Sequence, residues 1–106
     1  MPRIDRDGRT ARQSVSRLLS RAVKDGEMAA ALNISLSTYS RRKDRDDFPT
    51  FDELRLLAER LGVDRTILHV DFGYLDVSEV SDELRQRYED YRRAIDTITS
   101  LRKDPS

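Results

Sequence analysis

The residues best equipped for chemistry lie between Ser35 and Arg45, where four hydroxyls, Ser35, Ser37, Thr38 and Ser40, lead into the cations Arg41, Arg42, Lys43 and Arg45. A hydroxyl both donates and accepts hydrogen bonds, and a guanidinium donates two in parallel to a matching pair of acceptors. Such a set suits hydrogen-bonding edges and anionic oxygens rather than bond breaking. On a helix spanning 36–43, Arg41 is the residue for a base, because its fork matches guanine O6 and N7 in a major groove. Ser37, Thr38 and Ser40 add contacts to bases or phosphates. Leu36 suits a thymine methyl or, as readily, the side of a neighbouring helix. Arg42, Lys43 and Arg45 are expected on phosphates, where they fix register without reading sequence. Ser35 caps this helix and offers its hydroxyl or N–H to a phosphate.

Catalytic alternatives find little support. With no cysteine and a single histidine, the chain has no disulfide or thiolate chemistry and no His/Cys metal site. His69 stands in the apolar run Ile67 to Val70 beside Asp71, where a structural histidine at a helix end is expected. A glycine-rich phosphate loop and a framed carboxylate pair are both missing from the pattern. The expectation is a non-enzyme with no cofactor, no metal and no evident small-molecule ligand.

Residues 27–43 must position that recognition helix, and they read as two short helices around a tight turn. Ala29, Leu32, Ile34 and Tyr39 are the small and apolar positions that let two helices cross closely, and Asn33 at the turn tolerates positive φ. Upstream, Thr10 and Gln13 form a capping box ahead of Val15, Leu18, Leu19, Ala22 and Val23, with Gly26 as the expected stop. Downstream, Thr50 and Glu53 form a second box. It opens a helix lined by Leu54, Leu57, Ala58 and Leu61 and stopped at Gly62. Asp64 begins a fifth helix, and Phe72 to Leu75 read as an apolar plug. The expected organisation is a flexible basic arm over 1–9, a five-helix domain over 10–75 and a C-terminal segment over 76–106.

Net charge is zero, yet residues 1–43 hold ten Lys or Arg against four acids, a balance of +6, and the remainder carries the opposite −6. A cationic segment coincident with the recognition helix is the footprint a phosphate backbone selects. Arg3, Arg6, Arg9 and Arg12 recur every third residue, and such an arm either enters a minor groove or stays a solvated tail. Asp25, by its charge, repels phosphate.

The order of helices, and the run Ala29, Leu32, Asn33, Ile34, Ser35, Thr38, Tyr39, Ser40, Arg41, resemble the Cro and lambda-repressor-like (XRE-type) helix-turn-helix family over about residues 10–72. The element around Phe51 to Val63 is similar to that family's fourth helix, and short arginine-rich versions resemble immunity repressors of actinobacterial phages. The resemblance implies an all-α, five-helix lambda-repressor-like domain followed by one long amphipathic helix. It also implies a sequence-specific double-stranded DNA-binding regulator, a phage or prophage repressor, in the cytoplasm of a bacterial host and associated with its nucleoid.

In the C-terminal segment Leu84, Tyr88, Tyr91, Ile95 and Ile98 follow a 4-3-4-3 spacing, capped by Ser78 or Ser81 and barred from extension by Pro105. This candidate dimer seam has three fates: pairing with its twin, folding back over helices one and five, or binding another protein. The last defines an alternative, an antitoxin-like or adaptor protein in which DNA binding is secondary. No apolar run nears the ~20 residues of a membrane span, so no membrane role is expected.

Overall fold

The computed structural model describes the backbone of residues 1–103 and the side chains of residues 1–98, and Pro105 lies outside the described residues. It is all-α, with no strand among the described residues: α1 (Ala11–Leu19), α2 (Asp25–Ala31), α3 (Leu36–Arg42), α4 (Phe51–Leu61), α5 (Arg65–Asp71), a 3-10 turn (Val77–Glu79) and α6 (Asp82–Lys103). The chain divides into two compact units, Met1–Leu75 and the segment from Asp76 onward. No helix of the described residues is long and apolar enough to cross a membrane.

Local chemistry sets most of the boundaries in the first unit. Thr10 Oγ1 accepts from the Gln13 N–H at 3.3 Å, and the Gln13 side chain accepts from the Thr10 N–H at 3.0 Å, closing the first box. Thr50 and Glu53 repeat it at 3.1 and 3.0 Å. Ser35 caps α3 through the Thr38 N–H at 3.1 Å, and Asp64 caps α5 through the Thr66 N–H at 2.9 Å. Asn33 at φ 59° and Gly62 at φ 74° make the left-handed turns that end α2 and α4.

Two expectations are corrected here. The first helix was expected to run to Gly26, but it stops at Leu19, where Ser20 turns left-handed at φ 54°. Residues 21–24 are instead a connector tied to α1. The Val23 N–H donates to Ser16 Oγ at 3.0 Å, and its carbonyl accepts from Arg12 Nη1 at 3.1 Å. Gly26 lies in the first turn of α2, whose start is set by Glu27 accepting from the Lys24 N–H at 2.9 Å.

The second correction concerns residues 1–9, expected to be a flexible arm. They form a strap held by its backbone: the Arg3 N–H donates to the Phe48 carbonyl at 2.8 Å and the Arg6 N–H to the Asp71 carbonyl at 2.9 Å. Asp5 anchors it. Its buried carboxylate accepts from the N–H groups of Asp7 and Arg9, at 2.8 and 2.9 Å, and from the Ser14 hydroxyl. Arg17 supplies the counter-charge, 2.8 Å from Asp7, 3.9 Å from Asp5 and 4.0 Å from Asp71.

The core of this unit gathers Val15, Met28, Leu54, Leu57 and Leu68, all without measurable exposure, together with Tyr39, Phe48 and Phe72. Each aliphatic chain so buried contributes about 1.5–3 kcal/mol relative to exposure. Residues from α1, α2, α4 and α5 thereby fix the platform on which α3 lies.

In the second unit Ser81 Oγ accepts from the Leu84 N–H at 3.3 Å at the start of α6. Along the expected seam Tyr88 is buried, Leu84, Tyr91 and Ile95 are half-buried, and Ile98 is 47% exposed.

Candidate nucleic-acid interface

The α2–α3 pair closes through its turn, where the Asn33 N–H donates to the Ala30 carbonyl at 3.1 Å and the Ile34 N–H to the Ala29 carbonyl at 3.0 Å. Small Ala29 and Ala31 are buried, which lets the two helices approach closely. Tyr39 is the inward residue of α3, with its ring edge-on to Phe48 at 6.1 Å between centroids. Burial, with the Asp25 carboxylate adding to it, pushes the Tyr39 phenol up to about 12, so it is a packing group at any physiological pH.

With Tyr39 inward, Ser35, Leu36, Ser37, Thr38, Ser40 and Arg41 are all exposed. Leu36 is 53% exposed, so it does not pack as a core residue does and leaves an apolar contact point at the start of α3. Ser35 Oγ donates to Thr38 Oγ1 at 2.8 Å and lies 3.2 Å from Ser37 Oγ, which gathers three of the four hydroxyls at that end. Arg41 and Arg45 are exposed and form no ion pair among the described residues.

The remaining cations divide differently from the expectation. Arg42 was expected on a phosphate, but its guanidinium is committed to the fold. Its Nε and Nη2 donate to the two carboxylate oxygens of Glu53 at 2.9 and 2.7 Å, its Nη1 donates to Asp47 at 2.5 Å, and its Cζ lies over the Phe48 ring, 5.6 Å from the centroid. These bonds raise the Arg42 pKa. Burial alone would raise the Glu53 carboxyl, but the Arg42 and Thr50 hydrogen bonds outweigh it and hold Glu53 below its ordinary value. Lys43 Nζ stands 3.3 Å from Asp25, and Arg12 Nε lies 3.4 Å from the same carboxylate. Arg12 is therefore a residue of α1 with a local partner rather than part of an arm. Arg3 sits over the Tyr74 ring at 5.2 Å, while Arg6 and Arg9 follow along the strap.

Beside this face a cleft of about 190 Å³ is lined by Arg3, Thr10, Arg12, Asp25, Tyr39 and Lys43, among others. Sequence reasoning missed the bridging of Arg12 and Lys43 by Asp25, and the grip of Glu53 on Arg42. Both join residues at least eleven positions apart, and neither carries a local signal.

His69 is buried, with its ring stacked on Phe51 at 3.7 Å and 6° and its Nε2 donating to the Phe51 carbonyl at 2.9 Å. Desolvation holds its pKa below the ordinary value, so at neutral pH it is an uncharged packing group. Asp5, Asp7 and Asp71 bring carboxylate oxygens within 4.8 Å of one another, a spacing a cation would fit, but Arg17 supplies the positive charge there. No protein-family model, no curated protein and no solved structure matches this chain.

Proposed function

We propose that this protein is a sequence-specific double-stranded DNA-binding regulator of the lambda-repressor-like helix-turn-helix type, acting as a phage or prophage repressor in the bacterial cytoplasm. One observation carries the reading: α3 rests on the core through buried Tyr39 and turns Leu36, Ser37, Ser40 and Arg41 toward solvent. A groove-reading helix needs that division, with inward residues fixing its angle and outward residues meeting base edges. Arg41 is the base-reading residue. Ser37, Thr38 and Ser40 supply further contacts, Leu36 meets a thymine methyl, and Arg45 and Lys43 meet the backbone. The protein acts by binding, and His69 serves packing.

In this reading two copies pair through the part of the α6 seam left open beside buried Tyr88, so that two α3 helices meet half-sites one turn, about 34 Å, apart on a palindromic site. Ile98 marks the exposed end of that seam. A salt series of binding to DNA from the gene's own upstream region and to random duplex, with wild type and Arg41→Ala side by side, tests the reading. It predicts a preference for the upstream DNA that falls by about 1–3 kcal/mol in the variant. Equal, weak binding to both duplexes contradicts it and favours the adaptor alternative.

A further inference from the structure

Asp25, the first residue of α2, holds two cations that belong to other elements. One oxygen lies 3.4 Å from Arg12 Nε of α1, and the other 3.3 Å from Lys43 Nζ just past α3. The three side chains are similarly open to solvent, at 42% for Arg12, 39% for Asp25 and 38% for Lys43. They meet at the cleft to which Arg3 adds a further cation. A carboxylate and a phosphodiester present the same feature to such cations, two oxygens sharing one negative charge.

We propose that Asp25 is a built-in competitor for backbone phosphate: its carboxylate occupies the place between Arg12 and Lys43 that a DNA phosphate takes on binding, and so sets the affinity and salt dependence of the interface. This rests on the DNA-binding reading above. Ion pairs this exposed hold their partners weakly, so a phosphate arriving with α3 in the groove can exchange with the carboxylate. The exchange leaves Asp25 beside a like charge, and that repulsion lowers the affinity. It restrains binding to any duplex, because a phosphate contact carries no sequence information. The sequence preference then rests on Arg41 and its neighbours on α3.

The test compares Asp25→Asn with wild type on a short random duplex across a salt series, with a thermal melt of each protein. Asp44→Asn removes the same charge from an exposed acid at the edge of the same cleft that has no ion pair among the described residues, and so separates the loss of local charge from the loss of the Asp25 contacts to Arg12 and Lys43. The expected result is about three- to tenfold tighter binding by Asp25→Asn at low salt and a salt slope steeper by about one to two, since each phosphate neutralised adds about 0.9. Asp44→Asn gives a clearly smaller gain. The gain from Asp25→Asn also disappears in a background of Arg12→Gln and Lys43→Gln.

If wild type binds duplex and Asp25→Asn binds no tighter, or Asp44→Asn gains as much, this proposal falls and the DNA-binding reading stands. If neither wild type nor Asp25→Asn binds duplex, both fall together. Should the asparagine variant unfold, Asp25→Ser keeps a hydrogen-bonding side chain at the start of α2 and is read in the same way.

Discussion

In the strap of residues 1–9, backbone hydrogen bonds to Phe48 and Asp71 and the buried Asp5 tie an arginine-bearing segment to the domain. At the end of α3, Arg42 is likewise held, by Glu53 and Asp47, while Arg41 beside it and Arg45 in the following loop have no acid partner among the described residues. Both regions contribute cations to the +6 of the first 43 residues, but what each contributes to a partner depends on the acids that fold against it. A positive count is therefore an upper bound on a binding surface. The useful charge is what remains after internal partners are subtracted.

Breaking the strap is the largest perturbation. Asp5→Ala removes a buried acceptor of three hydrogen bonds and leaves Ser14, Asp7 and Arg9 donors unsatisfied near Arg17. It should cost about 3 kcal/mol, which thermal denaturation reports as a midpoint lowered by roughly 10–20 °C in a unit of this size. An unchanged midpoint would mean that residues 1–9 are an arm after all.

The adjacent arginines of α3 sharpen the contrast. Arg42→Ala leaves Glu53 half-buried without its cation and should destabilise the domain by about 2 kcal/mol. Arg41→Ala should change stability by no more than about 0.5 kcal/mol, since its side chain is exposed and has no ion pair among the described residues. Chemical denaturation of the two variants separates them, and equal losses would dissolve the distinction. Ser35→Ala removes the cap of α3 and should cost about 1 kcal/mol, with helical signal lost at the same denaturant midpoint as the rest of the domain.

The pH effect of His69 is the smallest near neutrality. Its folded pKa lies below its unfolded value because burial disfavours the cation, so the unfolded chain takes up a proton first as pH falls. Its contribution is therefore intact above about pH 6.5 and declines below it, by at most about 1.4 kcal/mol per pH unit for one proton. Denaturation midpoints from pH 7.5 to 5.5 should fall for wild type and fall less for His69→Phe, which keeps a ring against Phe51. Parallel curves for the two proteins would remove His69 from the account.

What was legible in the sequence was local. The boxes at Thr10 and Thr50, the cap at Ser35, the positive φ of Asn33 and the stop at Gly62 each involve residues within a turn of one another, so residue type and spacing suffice. The end of α1 was hidden because Ala22 and Val23 continue the helical apolar spacing. Val23 reaches the core from an extended connector instead, while Ala22 is exposed. Ser20 in a left-handed conformation has no strong sequence signature.

The strap was hidden for a related reason. Asp5 looks like one more charge in a polar terminus until Ser14 and Arg17 are brought beside it. On α3, the exposed set follows from the inward placement of Tyr39. The fates of Arg42 and Lys43 depended on Glu53 and Asp25, which only the packing of α4 and α2 brings within reach.

The most direct test of the central claim is a titration of the isotope-labelled protein with a short duplex from its own upstream region, following every backbone amide by NMR. If α3 reads the duplex, saturable shifts concentrate on residues 35–45, with Arg12 and Asp25 at their margin and α6 no more than weakly affected. Shifts centred on α6 with residues 35–45 silent, or no saturable shift at all, would contradict it.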